Sequence, residues 1–125
     1  MTTKTLVAVS GVIEVVTGVV LAFNPALVGR VLLDADLSFS GVAVARLCGV
    51  GLLSLGLAGW PSGESVPMQV TRALFAYNLL AALYLGYLRV GGGFVSYLLW
   101  PACILHALLA LLMARPAWKK VGQTA

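Results

Sequence analysis

Residues 6–23 have the sequence LVAVSGVIEVVTGVVLAF, an apolar run interrupted by a single carboxylate, Glu14. An α-helix of this length rises about 27 Å, which is close to the thickness of the hydrocarbon core of a bilayer. We therefore expect the run to form a membrane-spanning helix. An ionisable side chain near the middle of such a helix is costly and rarely faces lipid. Glu14 is accordingly the first candidate functional residue.

The composition of the whole chain also indicates a membrane protein. Of its 125 residues, 61% are hydrophobic and 10% are charged, and the mean hydropathy is +1.02. Soluble domains contain about 25% charged residues, so this chain lacks the polar surface that water requires. The net charge of +4 comes from basic residues at the ends of apolar runs. This placement favours contact with membrane lipids and excludes a nucleic-acid partner.

Three further apolar segments predict three more spans, over about residues 41–60, 68–88 and 94–114. A short helix is predicted over about 25–33, because Asn24 suits an N-cap and Pro25 suits a first helical position. This helix is too short to cross a bilayer, so we expect it at the membrane interface. The sequence thus predicts one domain over residues 1–125. Its fold class is an all-α integral membrane protein, an up-down-up-down bundle of four transmembrane helices.

Local residues suggest where two of these helices begin, bend or end. Ser40 is the expected N-cap of the second span. Pro101 is expected to kink the fourth span, and the Arg115–Pro116 pair is expected to end it.

The distribution of basic residues predicts the orientation of the bundle. One side carries Lys4, Arg72, Arg115, Lys119 and Lys120, and the other carries Arg30, Arg46 and Arg89 together with two aspartates. Because cytoplasmic loops are enriched in lysine and arginine, this asymmetry places both termini in the cytoplasm.

Three polar side chains are predicted to lie at a common depth. At about 1.5 Å per residue, Glu14, Asn78 and His106 each lie some 12–15 Å from the same membrane face. We expect these residues, with the neighbouring Tyr77, to converge on a polar site inside the bundle. The sequence allows two interpretations of Arg46. Its side chain extends outward to the lipid headgroups, or it turns inward and pairs with Glu14.

Structural explanations compete with a functional one. Asn78 suits a hydrogen bond between helices, and Glu14 with Arg46 suits a buried ion pair. His106 has no second histidine or cysteine at ligand spacing, so no metal or haem site is predicted. Cys48 and Cys103 both lie in apolar runs and suit buried, unpaired cysteines.

Four segments carry a resemblance to a known family: GVIEVVTGVVLAFNPALVGRVLL (11–33), ARLCGVGLLSLGLAGW (45–60), FAYNLLAALYL (75–85) and LLWPACILHALLALL (98–112). The chain resembles small bacterial four-span proteins of the DoxX-like group. The resemblance implies a bacterial inner membrane and an association with quinone-linked redox chemistry. It transfers no catalytic residue and no cofactor.

Three classes of function fit these observations. The first is a membrane-embedded binding or accessory protein, acting as a homo-oligomer or within a larger membrane complex. Its polar site, formed by Glu14, Arg46, Asn78, His106 and Tyr77, would hold a lipid-like, quinone-like or other small amphiphile. The second is a proton-coupled transporter that uses Glu14 as its carrier group. The third is a membrane enzyme with Glu14 and His106 as an acid–base pair. No nucleotide-binding loop, nucleophile elbow or metal motif supports the third class. The first class is preferred.

Overall fold

Five α-helices make up the computed structural model, which describes residues 1–60 and 65–118. The helices are α1 Thr3–Phe23, α2 Pro25–Leu33, α3 Phe39–Ala58, α4 Met68–Val90 and α5 Leu99–Trp118. All except α2 are long and apolar enough to cross a membrane. The predicted fold class, four spanning helices with a short helix after the first, is confirmed. The length and composition of these helices indicate a multi-pass membrane protein.

The junction between α1 and α2 follows the local sequence signal. The side chain of Asn24 accepts a hydrogen bond from the backbone N–H of Leu27 at 3.2 Å, and Pro25 is the first residue of α2. Asn24 also donates its backbone N–H to the carbonyl of Val20 at the end of α1. One residue thus ends one helix and begins the next, as the Asn–Pro pair predicted.

The start of α3 differs from the prediction. Ser38, rather than Ser40, is the N-cap, and its hydroxyl accepts a hydrogen bond from the backbone N–H of Gly41 at 3.0 Å. Both serines suit a cap, but Ser38 has the extended backbone conformation that an N-cap requires. The helix consequently begins at Phe39.

The last span begins and ends later than predicted. Residues 94–98 form a link, and α5 starts only at Leu99. Pro101 therefore lies in the first turn, where the missing N–H breaks no helical hydrogen bond, so the predicted kink has no cause. The helix also continues through Pro116 to Trp118. The hydroxyl of Ser96 in the link donates to the carbonyl of Val31 at 2.7 Å, which ties the start of α5 to α2.

Glycines hold α1 and α3 in close contact. Gly18 lies against Gly49, and Gly11 lies against Gly56, so the two helices run antiparallel. A Cβ added to Gly18 would lie 2.5 Å from the backbone nitrogen of Leu53, well inside any permitted contact. Only glycine permits this separation, and small residues at helix contacts are typical of membrane bundles.

The second pair of helices, α4 and α5, is also antiparallel. The thiol of Cys103 donates to the carbonyl of Ala82 at 3.3 Å. Near the other end, the Nε of Arg72 donates to the carbonyl of Ala117 at 2.9 Å. The same guanidinium lies 5.4 Å from the ring centroid of Trp118, a cation–π contact. Arg72 thus ties α4 to the last described turn of α5.

The two helix pairs meet through a small apolar core near the ends of α1 and α5 that carry Thr3 and Trp118. Its fully buried members are Leu6, Val7, Leu74 and Met113. One and two helical turns further along α1, Ser10 and Glu14 replace the apolar residues, and there the interior becomes polar.

Candidate functional site

Asn78 is the centre of a buried hydrogen-bond network that joins three helices. Its Nδ2 donates to the hydroxyl of Ser10 on α1 at 2.9 Å and to the carbonyl of Leu74 on α4 at 2.8 Å. Its Oδ1 lies 2.8 Å from Nδ1 of His106 on α5. The structure therefore brings Asn78 and His106 together, and it adds Ser10 as a third member.

The orientation of the Asn78 amide follows from its neighbours. The carbonyl of Leu74 accepts hydrogen bonds and has no hydrogen to donate, so the amide nitrogen must face it. The amide oxygen then faces His106. Every polar atom of the Asn78 side chain has a partner, so the residue serves the structural role that the sequence left open and also positions His106.

Tyr77 connects the network to Glu14. Its ring packs edge-on against the ring of His106, with centroids 5.7 Å apart and an interplanar angle of 84°. The Tyr77 phenol also interacts electrostatically with the Glu14 carboxyl. The predicted residues Glu14, Tyr77, Asn78 and His106 thus form one continuous polar layer between α1, α4 and α5.

Glu14 is fully buried, with 0% of the side chain exposed. Neither carboxyl oxygen makes a hydrogen bond of standard geometry within the described part of the chain, although the Tyr77 phenol lies near enough to interact with the carboxyl. A buried polar group without a partner costs about 1–3 kcal/mol of stability. The carboxyl therefore needs a proton, a bound molecule or a neighbouring polar group to complete its environment.

Arg46 does not belong to this site. Its side chain is exposed on α3, and the ion pair with Glu14 does not form. The reason lies in the faces of α1. Gly11 and Gly18 face α3, whereas Ser10 and Glu14, one turn apart, face α4. The inward interpretation of Arg46 is therefore wrong. On the surface, an ion pair joins Arg30 and Asp36 at 2.8 Å. This exposed hydrogen-bonded contact raises the pKa of Arg30.

A cleft of about 550 Å³ opens beside the polar layer and is lined by residues of α1, α2, α4 and α5 and by Leu52 of α3. Its walls are mainly aliphatic and include Ile13, Leu21, Leu27, Val31, Leu85 and Leu105. The few polar side chains that line it are Thr17, Tyr77, Tyr84 and His106. The cleft thus combines an apolar space with a small number of polar groups at one place, the arrangement that binds amphiphilic molecules.

The contribution of α2 to the cleft was not predicted from the sequence, from which only a short interfacial helix was expected. Leu27, Val28, Val31 and Leu32 of α2 line the cleft. Their spacing of one, three and four residues is typical of an amphipathic helix with one apolar face, and this was the available signal. Ser10 was visible as a small polar residue one turn before Glu14, but its partner was not.

Within residues 1–60 and 65–118, no group of three or more histidine, cysteine, aspartate or glutamate side chains comes together as a metal site. Comparison with protein-family models, with curated proteins and with solved structures gives no match for this chain. The resemblance to DoxX-like proteins therefore stays a prediction from the sequence.

Proposed function

We propose that this protein is a small integral membrane binding or accessory protein whose cleft holds one lipid-like, quinone-like or other small amphiphile. The observation that carries the proposal is the aliphatic cleft of about 550 Å³ with His106 and Tyr77 in its lining. Small-molecule sites commonly occupy about 300–1,000 Å³ and combine apolar walls with a few placed polar groups. An acyl or isoprenoid tail suits the aliphatic walls, and a polar head suits the end formed by His106 and Tyr77.

A proton-coupled transporter is the second candidate, and the state of Glu14 favours it. A buried carboxyl without a partner is suited to bind and release a proton or a cation. The enzyme hypothesis has less support, because His106 bonds to Asn78 and the described contacts include no hydrogen bond between His106 and Glu14.

The proposal includes a location and an orientation. The chain would lie in a bacterial inner membrane with both termini in the cytoplasm, because the end of the bundle that carries Lys4, Arg72 and Arg115 is the more basic. Association into a homo-oligomer or a larger complex would use α3, which is the least buried of the spanning helices. Cysteine introduced at Thr2 should react with a membrane-impermeant maleimide only after the membrane is opened. Reaction in intact spheroplasts would show that the N-terminus lies outside the cytoplasm and that the proposed orientation is wrong.

Native mass spectrometry of the protein released from its own membrane tests the binding proposal. We expect one retained amphiphile per chain in the wild type. Ala81 lines the cleft, so Ala81→Phe should fill the space and abolish retention. Ala76 is exposed on the same helix, so Ala76→Phe is the matched control and should retain the molecule. A wild type without a retained molecule, or equal retention by both variants, would contradict the proposal.

A further inference from the structure

The hydrogen bonds of Asn78 determine which ring nitrogen of His106 carries the proton. Because the amide nitrogen uses its two hydrogens on Leu74 and Ser10, the amide oxygen is the atom that faces His106. An amide oxygen only accepts, so Nδ1 of His106 must donate. A neutral imidazole has one donor nitrogen and one acceptor nitrogen. The other ring nitrogen, Nε2, is consequently an acceptor.

The acceptor nitrogen is available to a molecule in the cleft. The His106 ring lines the cleft, and Nε2 forms no hydrogen bond within the described part of the chain. It is also not among the fully buried atoms that lack a partner, so part of its surface remains accessible. The edge-on contact with Tyr77 and the bond to Asn78 together hold the ring in place. A fixed hydrogen-bond acceptor therefore faces a space with aliphatic walls.

We infer that the cleft selects an uncharged amphiphile whose head group donates a hydrogen bond to Nε2 of His106: an alcohol, a phenol or a hydroquinone. This inference rests on the proposed binding function and specifies the ligand class. A head group that only accepts, such as an ether or a quinone, would place its lone pairs against those of Nε2. A charged head group would lose its hydration against the aliphatic walls without gaining an ion pair, since none of the described residues that line the cleft is an aspartate, glutamate, lysine or arginine.

Two probes with the same tail and different head groups test the preference for a donor separately from binding to the cleft. The probes are 4-octylphenol, which donates, and 4-octylanisole, which does not, each titrated against the full chain in lipid nanodiscs. The quantity compared is the ratio of the affinity for 4-octylphenol to the affinity for 4-octylanisole. We expect this ratio to be about 2- to 10-fold higher in the wild type than in His106→Phe, the range expected for one hydrogen bond. His106→Phe keeps an aromatic ring in the cleft and removes the acceptor.

The possible outcomes distinguish a failure of the inferred ligand class from a failure of the proposed binding function. A phenol preference that disappears in His106→Phe supports the inference. Equal binding of both probes in the wild type, with loss of both in Ala81→Phe, would overturn the inference and leave the proposed function standing. No binding of either probe, or binding that Ala81→Phe leaves unchanged, would refute both the inference and the proposed function.

The position of the proton on the His106 ring can be measured on the wild type alone. This test therefore does not depend on the folding of a variant. His106 is the only histidine of the chain. Nitrogen-15 spectra of protein labelled at histidine therefore report this ring without assignment. We expect a protonated Nδ1 and an unprotonated Nε2, with the Nε2 resonance shifting when 4-octylphenol is added but not when 4-octylanisole is added. A proton on Nε2 of the wild type at neutral pH would refute the inference.

Discussion

The contact between α1 and α3 predicts a large difference between two substitutions only two residues apart. A Cβ added to Gly49 would lie 2.6 Å from the backbone nitrogen of Ala22 and 2.8 Å from the carbonyl oxygen of Gly18. These are backbone atoms of α1, which cannot yield as the far end of a flexible side chain can. The two helices would therefore have to separate. At Gly51, on the same helix, an added Cβ meets nothing within 4 Å.

The magnitude follows from comparing Gly49→Ala with Gly51→Ala. Both variants gain the same helix propensity, about 1 kcal/mol for alanine over glycine, so this contribution cancels in the difference. What remains is the cost of overpacking, about 1–3 kcal/mol against Gly49→Ala. Gly51→Ala should be equal to or more stable than the wild type.

Reversible unfolding in mixed micelles, with the sodium dodecyl sulfate fraction as denaturant, measures this difference as a shift in midpoint at constant slope. Equal midpoints for the two variants would show that α1 and α3 are not in backbone contact, and the placement of Glu14 towards α4 would lose its basis.

Two further predictions concern the polar layer. Glu14→Met removes two buried oxygens that make no hydrogen bond of standard geometry, and it keeps a similar side-chain volume. It should therefore raise the free energy of unfolding by about 1–3 kcal/mol. Val16→Met, at an exposed position of α1, is the control and should change the free energy of unfolding little. A destabilised Glu14→Met would mean that the carboxyl has a stabilising partner. Asn78→Leu should lower the free energy of unfolding by about 1–3 kcal/mol and should allow both neutral forms of the His106 ring in nitrogen-15 spectra, because nothing then holds the proton on Nδ1. Ser10→Ala, which leaves the Asn78–His106 bond in place, is its control and should keep a single form.

Hydrophobic length and cap residues were sufficient to predict the helices themselves. The apolar runs located four spans, and Asn24–Pro25 located the junction before α2. The errors arose where two residues of the same kind compete. Ser38 and Ser40 are both good caps, and the choice depends on the backbone conformation that the preceding link adopts. Pro101 was expected to kink a helix because the start of α5 was placed at Phe94, five residues too early.

The arrangement of the site was only partly predictable. Depth along each helix is a sum of rises per residue, so the common level of Asn78 and His106 could be calculated from the sequence. Rotation about each helix axis is decided by packing. Because α1 packs its Gly11 and Gly18 face against α3, Glu14 points away from Arg46. The sequence does not specify which helix lies against those glycines. The cleft depends in the same way on where α2 packs, which no spacing within α2 specifies.

The most direct test of binding in the cleft is to locate the bound molecule. A fatty alcohol with a photoreactive diazirine in its tail would be added to nanodiscs, irradiated and mapped by mass spectrometry of the cleaved chain. We expect saturable adducts on cleft residues such as Leu27 of α2 and Leu105 of α5, suppressed by excess 4-octylphenol and by Ala81→Phe. Exposed Leu80 of α4, which lies outside the cleft, reports ordinary contact with lipid and should show only unsaturable labelling. Adducts that are equally unsaturable at all three leucines would show that the cleft is merely part of the lipid-facing surface, and the proposed function would be wrong.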